Sequence, residues 1–196
     1  MLEQSFKILL ASKSLRRQQL MQELGCTFEV IEQNVEEVVP EQLPKEKVAE
    51  YLARLKASSV KHQLKAGNEV ILCSDTTVLF DNTIYHKPKH FQDALRILRD
   101  LSGQIHQVIT GVCLLHQDWQ VSFSDTAHVH LDLITEEEMN YYIQKFQPYD
   151  KAGAYAIQEW IGLAKIKKIE GAYATIMGLP TQLVYAELMK RSLSTF

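Results

Sequence analysis

Four apolar residues in succession, Val70-Ile71-Leu72-Cys73, run straight into Ser74-Asp75-Thr76-Thr77. A continuous apolar run marks a strand covered on both faces, as in sheets with helices packed on either side. The rest of the chain alternates strand-like and helix-like segments, which argues for α/β. Residues 6–11 read as a short buried strand. A helix follows from Leu15 to about Leu24, then a strand over 27–31 and an acidic loop over 32–46 that carries Pro40 and Pro44. The next helix has apolar residues at 48, 51, 52 and 55. Asp81-Asn82 marks a hairpin turn. Phe91, Ala94, Leu95 and Leu98 repeat at helical spacing. Val121, Phe123, Ala127, Val129, Leu131 and Leu133 alternate along the second of two long strands, with the turn near Asp118-Trp119. Thr135 with Glu138 forms a capping box ahead of a helix through Phe146. A last strand near 163–169 and a helix from about 181 follow. The expected architecture is a single domain over residues 1–196. It has a long twisted mixed sheet with flanking helices, arranged as two lobes around a cleft.

Charge narrows the partners. Lys and Arg number 21 against 24 Asp and Glu, a net charge of −3 with no basic run, so general nucleic-acid binding is disfavoured. Any anion site must be a local cluster. Cys26, Cys73 and Cys113 show no CxxC pairing and imply no disulfide framework. No stretch approaches about 18 apolar residues, and the opening residues lack a basic, then apolar, leader pattern. The expectation is a cytoplasmic protein with no membrane partner; a homodimer stays open.

Chemistry concentrates in a few places. In Ala11-Ser12-Lys13-Ser14-Leu15-Arg16-Arg17, a buried strand gives way to a helix with two arginines in its first turn. Basic side chains oppose the helix dipole there, unless an anion sits on the exposed amides. The alternative is a serine cap with solvated arginines. Asp75, at the end of the apolar run, is read as a general base, a ligand for Mg²⁺, or an acceptor of turn hydrogen bonds. Lys87 is held extended by Pro88. Glu36-Glu37 offers a further carboxylate, or a solvated pair. Lys56, near the end of a helical apolar stripe, reads by default as a snorkelling lysine. Residues 150–158, Asp-Lys-Ala-Gly-Ala-Tyr-Ala-Ile-Gln, are rich in small side chains. They suit either close approach to a ligand or a tight packing corner. Gln158 carries an amide able to read a base edge. GxxxxGK[ST], GxGxxG and HExxH are all absent. His86 with His90, and His128 with His130, lack companions for a zinc site.

Taken in order, these segments resemble the Maf family of nucleotide pyrophosphatases, from about Ile8 to about Leu188. ILLASKSLRRQQLMQELG is similar to the family's LASxSPRRxELLxxLG. SDTTVLFDNTIYHKPKHFQDALRILRDLSGQIHQVITGV is similar to its ADTxV…KPxxxxxAxxML…LSGxxHxVxTGV, and DKAGAYAIQ and IEGAYATIMGLP to two later segments. The resemblance implies hydrolysis of a nucleoside triphosphate between its α and β phosphates with a divalent metal, Mg or Mn. It implies Asp75 as the catalytic carboxylate, Glu37 with Asp75 toward the metal, Arg16, Arg17, Lys56 and Lys87 on the phosphates, and Ser12 as the substrate-binding serine of the opening loop. Arg16, Thr76 and Gln158 match the branch acting on dTTP and UTP. A branch acting on 7-methyl-GTP, which carries Trp at the Arg16 position, and a non-catalytic nucleotide-binding regulator of cell division are the alternatives. The chain departs from the pattern at Leu15, where proline is usual, at Lys13, and at Glu159-Trp160, which replace a small glycine-rich segment.

Overall fold

Val70–Cys73 lie inside a twelve-residue strand, and all four side chains are fully buried. The structure, a computed structural model, describes residues 6–65 and 67–193. In chain order the elements are β1 (Lys7–Leu10), α1 (Leu15–Glu23), β2 (Phe28–Val30), α2 (Val48–Ser59), β3 (Glu69–Phe80), β4 (Thr83–Tyr85) and α3 (Phe91–Leu101). There follow β5 (Ile105–Leu115), β6 (Gln120–Leu131), α4 (Glu136–Phe146), α5 (Trp160–Lys165), β7 (Ile166–Glu170), α6 (Tyr173–Met177) and α7 (Thr181–Leu193). Seven strands form one sheet in the order β2-β1-β3-β5-β6-β7, with β4 on β3. β1 is parallel to both β2 and β3, while β4 is antiparallel to β3 and β7 to β6. The sheet is therefore mixed and the class α/β. Among the described residues no helix is long and apolar enough to cross a membrane.

The chain divides into two compact units. The first comprises the residues up to Asp75, Thr110–Asp125, and those from Gly178 onward. Its core joins Leu9, Ala11, Ile71, Cys73 and Cys113 with Ala53 and Ala57 of α2. All three cysteines are free, and burial pushes the Cys73 and Cys113 thiols up to about 12. The buried face of α2 differs from the expected stripe. It is formed by Val48, Ala49, Leu52, Ala53, Lys56 and Ala57, whereas Tyr51 and Leu55 are only partly covered. Gly111 gives the reason. A Cβ at that strand position would lie 2.2 Å from the Glu50 backbone nitrogen, so helix backbone rests directly on β5. Only a small-residue face permits so close an approach.

The second unit comprises Thr76–Ile109 and Thr126–Met177. Asp81 and Asn82 take φ of 46° and 57°, two successive left-handed residues of the kind that closes a tight hairpin, here β3 to β4. The Thr135–Glu138 capping box forms as expected. Leu95, Leu98 and Leu101 of α3 pack with Met139, Tyr142 and Ile143 of α4. Two expectations are corrected here. Residues 163–165 are helical, because the Leu163 amide closes a helical turn on the Glu159 carbonyl, and the strand begins only at Ile166. Leu133 is 72% exposed, because β6 ends at Leu131 and takes the alternation with it.

Candidate active site

The Ala11 amide still bonds the Leu72 carbonyl at 3.0 Å, so the chain leaves the sheet only at Ser12. Ser12 is buried. Its Oγ accepts the Ser14 amide at 3.2 Å, and its carbonyl accepts Nε2 of Gln18 at 3.4 Å. This tightens the turn and fixes where α1 begins. Ser14 occupies the N-cap, but its side chain makes no capping bond, and the first turn holds no acidic residue. Side-chain capping by Ser14, one of the two alternatives, is therefore not what the helix uses. The first-turn amides keep their partial positive charge beside Arg16 and Arg17. Lys13 projects outward to Glu32 at 2.9 Å, and Leu15 is exposed.

Arg17 crosses the unit. Its Nε donates to the Gly178 carbonyl at 2.9 Å and its Nη1 to the Ser74 carbonyl at 2.8 Å. Ser74 is buried and donates its own Oγ to the same Gly178 carbonyl at 3.1 Å. Three segments far apart in sequence thus meet one residue before Asp75. Burial lowers the pKa of the Arg17 guanidinium, and the charge of Asp75 works in the opposite sense. Sequence reasoning missed Ser74 and Gly178. The available signal was Gly178-Leu179-Pro180, a glycine two residues ahead of a proline; the structure gives that glycine φ 105°.

Lys56 is not a snorkelling lysine. Only 9% of its side chain is exposed, and its ammonium is shared between Oδ1 of Asp75 and Oε1 of Glu37, the latter at 2.8 Å. The Asp75 side chain is 13% exposed and that of Glu37 49%. Asp75 does not end the strand as the apolar run suggested: β3 continues to Phe80, and a carboxylate this covered in mid-strand requires such a partner. Glu36 is exposed. Glu37 and Asp75 already converge on one cation. Magnesium is commonly held by one or two carboxylates, with phosphate oxygens and water completing the shell. The pair fits a hard divalent ion on those terms; among the described residues no group of three or more His, Cys, Asp or Glu converges for a metal.

Thr76, Lys87 and Gln158 belong to the second unit. Thr76 is half-buried on β3, Lys87 is exposed ahead of the buried Pro88, and Gln158 is exposed between Ile157 and Glu159. The small residues before Gln158 form a packing corner. A Cβ at Gly153, where φ is 73°, would lie 2.9 Å from the Val78 side chain.

The family model described as Maf-like protein matches residues 7–191. The chain belongs to the Maf-like family. It is similar to the dTTP/UTP pyrophosphatase of Bacteroides thetaiotaomicron, at 44% identity over 186 residues, 94% of this chain and 96% of that one. It is 42% identical to the dTTP/UTP pyrophosphatase of Porphyromonas gingivalis over 93% of both chains. It is 41% identical to that of Flavobacterium johnsoniae over 93% of this chain and 94% of the relative. In this Maf-like chain, Ser12, Arg16, Arg17, Glu37, Lys56 and Asp75 all fall in the first unit.

Proposed function

We propose that this chain hydrolyses dTTP and UTP to the monophosphate and pyrophosphate. The observation that carries the reading is a nearly buried carboxylate, Asp75, sharing one ammonium with Glu37 midway along the long strand β3. A triphosphate brings high negative charge, and within the first unit the α1 terminus with Arg16, Arg17 and Lys56 supplies the opposite sign; Lys87 is assigned to phosphate on the family resemblance alone. Phosphoryl chemistry depends mainly on such positioning and charge stabilisation. Glu37 and Asp75 would hold a divalent ion, which would neutralise charge on the phosphate oxygens. Asp75 orients a water and takes up its proton as the water oxygen bonds to the α-phosphorus. The bond from the α-phosphorus to its bridging oxygen breaks, and pyrophosphate leaves. Ser12 fixes the turn that presents the α1 amides, while Thr76 and Gln158 select the base. Free thiols that are buried or half-buried suit a reducing cytoplasm.

The test is pyrophosphate release from dTTP, UTP, CTP, ATP, GTP and 7-methyl-GTP with Mg²⁺, with Asp75→Asn measured alongside. Turnover confined to dTTP and UTP, and lower by about 10²–10⁴-fold in a folded Asp75→Asn, is the expected result. Selective turnover of 7-methyl-GTP would move the substrate to a purine. Nucleotide binding without turnover would replace the enzyme with a nucleotide-binding regulator.

A further inference from the structure

Gln158 is exposed, yet the chain on both sides of it is fastened. Tyr142 of α4 is fully buried; its hydroxyl donates to Oε2 of Glu159 and accepts the Ala156 amide at 3.1 Å. The other Glu159 oxygen lies 3.3 Å from Nζ of Lys151, a buried lysine that also reaches Oδ1 of Asp150 at 2.7 Å. The Glu159 amide bonds the Ala156 carbonyl at 3.1 Å, and its carbonyl receives Leu163 at 3.0 Å. Gly162 presses on the residue before Gln158, since a Cβ there would lie 1.7 Å from the Ile157 carbonyl oxygen. The Glu159 carboxylate therefore ties the two ends of the segment 151–159 together through Lys151, and reaches Ala156 through Tyr142. Burial and the neighbouring Glu159 carboxylate push the Tyr142 phenol upward, so it stays a donor throughout the physiological range.

We propose that Glu159 is a positioning residue for base selection, holding Gln158 so that its amide meets the base in one orientation. The proposal rests on the reading of Gln158 as the base-contacting residue. An amide presents an acceptor and a donor side by side. Uracil and thymine offer N3–H and the O4 acceptor, whereas cytosine offers an N3 acceptor and the N4 amino donor. Turning the amide over exchanges the two patterns. The turn is a side-chain rotation, so the fastened backbone acts by fixing the angle at which the amide reaches the base edge; a set angle favours the orientation matched to uracil and thymine, and a loosened one admits cytosine.

The experiment measures kcat/KM for UTP and CTP in the wild type, Glu159→Gln, Glu159→Ala, Gln158→Ala and the Gln158→Ala/Glu159→Ala double variant. The UTP:CTP ratio is expected to fall about tenfold in Glu159→Ala. Glu159→Gln, which still accepts from Tyr142, retains most of the ratio. The double variant matches Gln158→Ala alone, because positioning has no effect once the positioned amide is gone. Tyr142→Phe keeps the ring in the core, removes one of the two Glu159 partners, and shifts the ratio in the same direction, so the test survives a poorly folding Glu159→Ala. An unchanged ratio in Glu159→Ala and Tyr142→Phe, with a lower melting temperature and with Gln158→Ala still losing selectivity, would reduce Glu159 to a stability role and overturn the proposal. If Gln158→Ala itself leaves the ratio intact, the base-contacting assignment of Gln158 fails, and the role of Glu159 falls with it.

Discussion

Replacing Lys56 with Met separates what its ammonium does for the fold from what it does for the chemistry. Met keeps the length and most of the volume of the side chain, so no large cavity opens. What is lost is the cation between Asp75 and Glu37. Removing one partner of a buried ion pair costs about 3–5 kcal/mol, because the other charge stays buried and alone. Glu37 is half exposed and turns to solvent at a cost of about 0–1 kcal/mol. Asp75, with 13% of its side chain exposed, bears most of the loss, which places it near ~3 kcal/mol at neutral pH. For a chain of this size that lowers Tm by about 6–12 °C. Asp75→Asn alone leaves Lys56 its contact with Glu37 and costs less, about 1–2 kcal/mol. The Lys56→Met/Asp75→Asn double variant buries no unpaired charge at either position. Its stability recovers toward that of Asp75→Asn, giving a coupling energy of about 2–3 kcal/mol in the four-cornered cycle. Urea unfolding of the four proteins measures that energy. Pyrophosphate release, run on the same samples, should stay at least about 10²-fold down in all three variants. A coupling energy below about 0.5 kcal/mol would refute the buried pairing of Lys56 with Asp75.

Two further outcomes follow from the packing. His106 is buried with Nε2 on the Tyr155 hydroxyl at 2.7 Å and no partner for Nδ1, and burial lowers its pKa to about 4. The unfolded chain therefore takes up a proton near pH 6.5 that the folded chain refuses until about pH 4; stability is full above 6.5 and is lost as pH falls between those values. Between pH 7.5 and 5 the wild type should lose about 2 kcal/mol more than His106→Gln in urea titrations, and an equal loss would contradict this. Gly111→Ala places a Cβ 2.2 Å from the Glu50 nitrogen, which only a shift of α2 can relieve. It should cost at least about 3 kcal/mol or abolish soluble expression, and a variant melting within about 2 °C of wild type would show that α2 does not lie that close.

Features whose cause is local were legible from the sequence alone. The apolar run of β3 needs only the faces of one strand, the Asp81-Asn82 hairpin only two residues tolerant of positive φ, and the Thr135–Glu138 box only one helical turn. The opening Ser-Lys-Ser-Leu-Arg-Arg segment and Asp75 stood out because residue types unfavourable in those places call for a partner. What escaped depends on distant chain. The buried face of α2 is chosen by Gly111 on a strand more than fifty residues later, since contact with a glycine rewards alanines over Tyr51 and Leu55. Lys56 looks like a solvent-seeking lysine until Asp75 and Glu37 are placed around it. The start of β7 is delayed by α5, whose first turn is held by the Glu159 carbonyl rather than by any helical periodicity in the sequence.

The Gly178 carbonyl receives Arg17 from 161 positions away and Ser74 from 104. During synthesis both donors leave the ribosome long before their common acceptor. A nascent chain that has already folded β1, α1 and β3 thus lacks the clasp behind Asp75 until the segment carrying Gly178 emerges. Fragments ending before Gly178 lack that acceptor, and are expected to release no pyrophosphate even where they are folded.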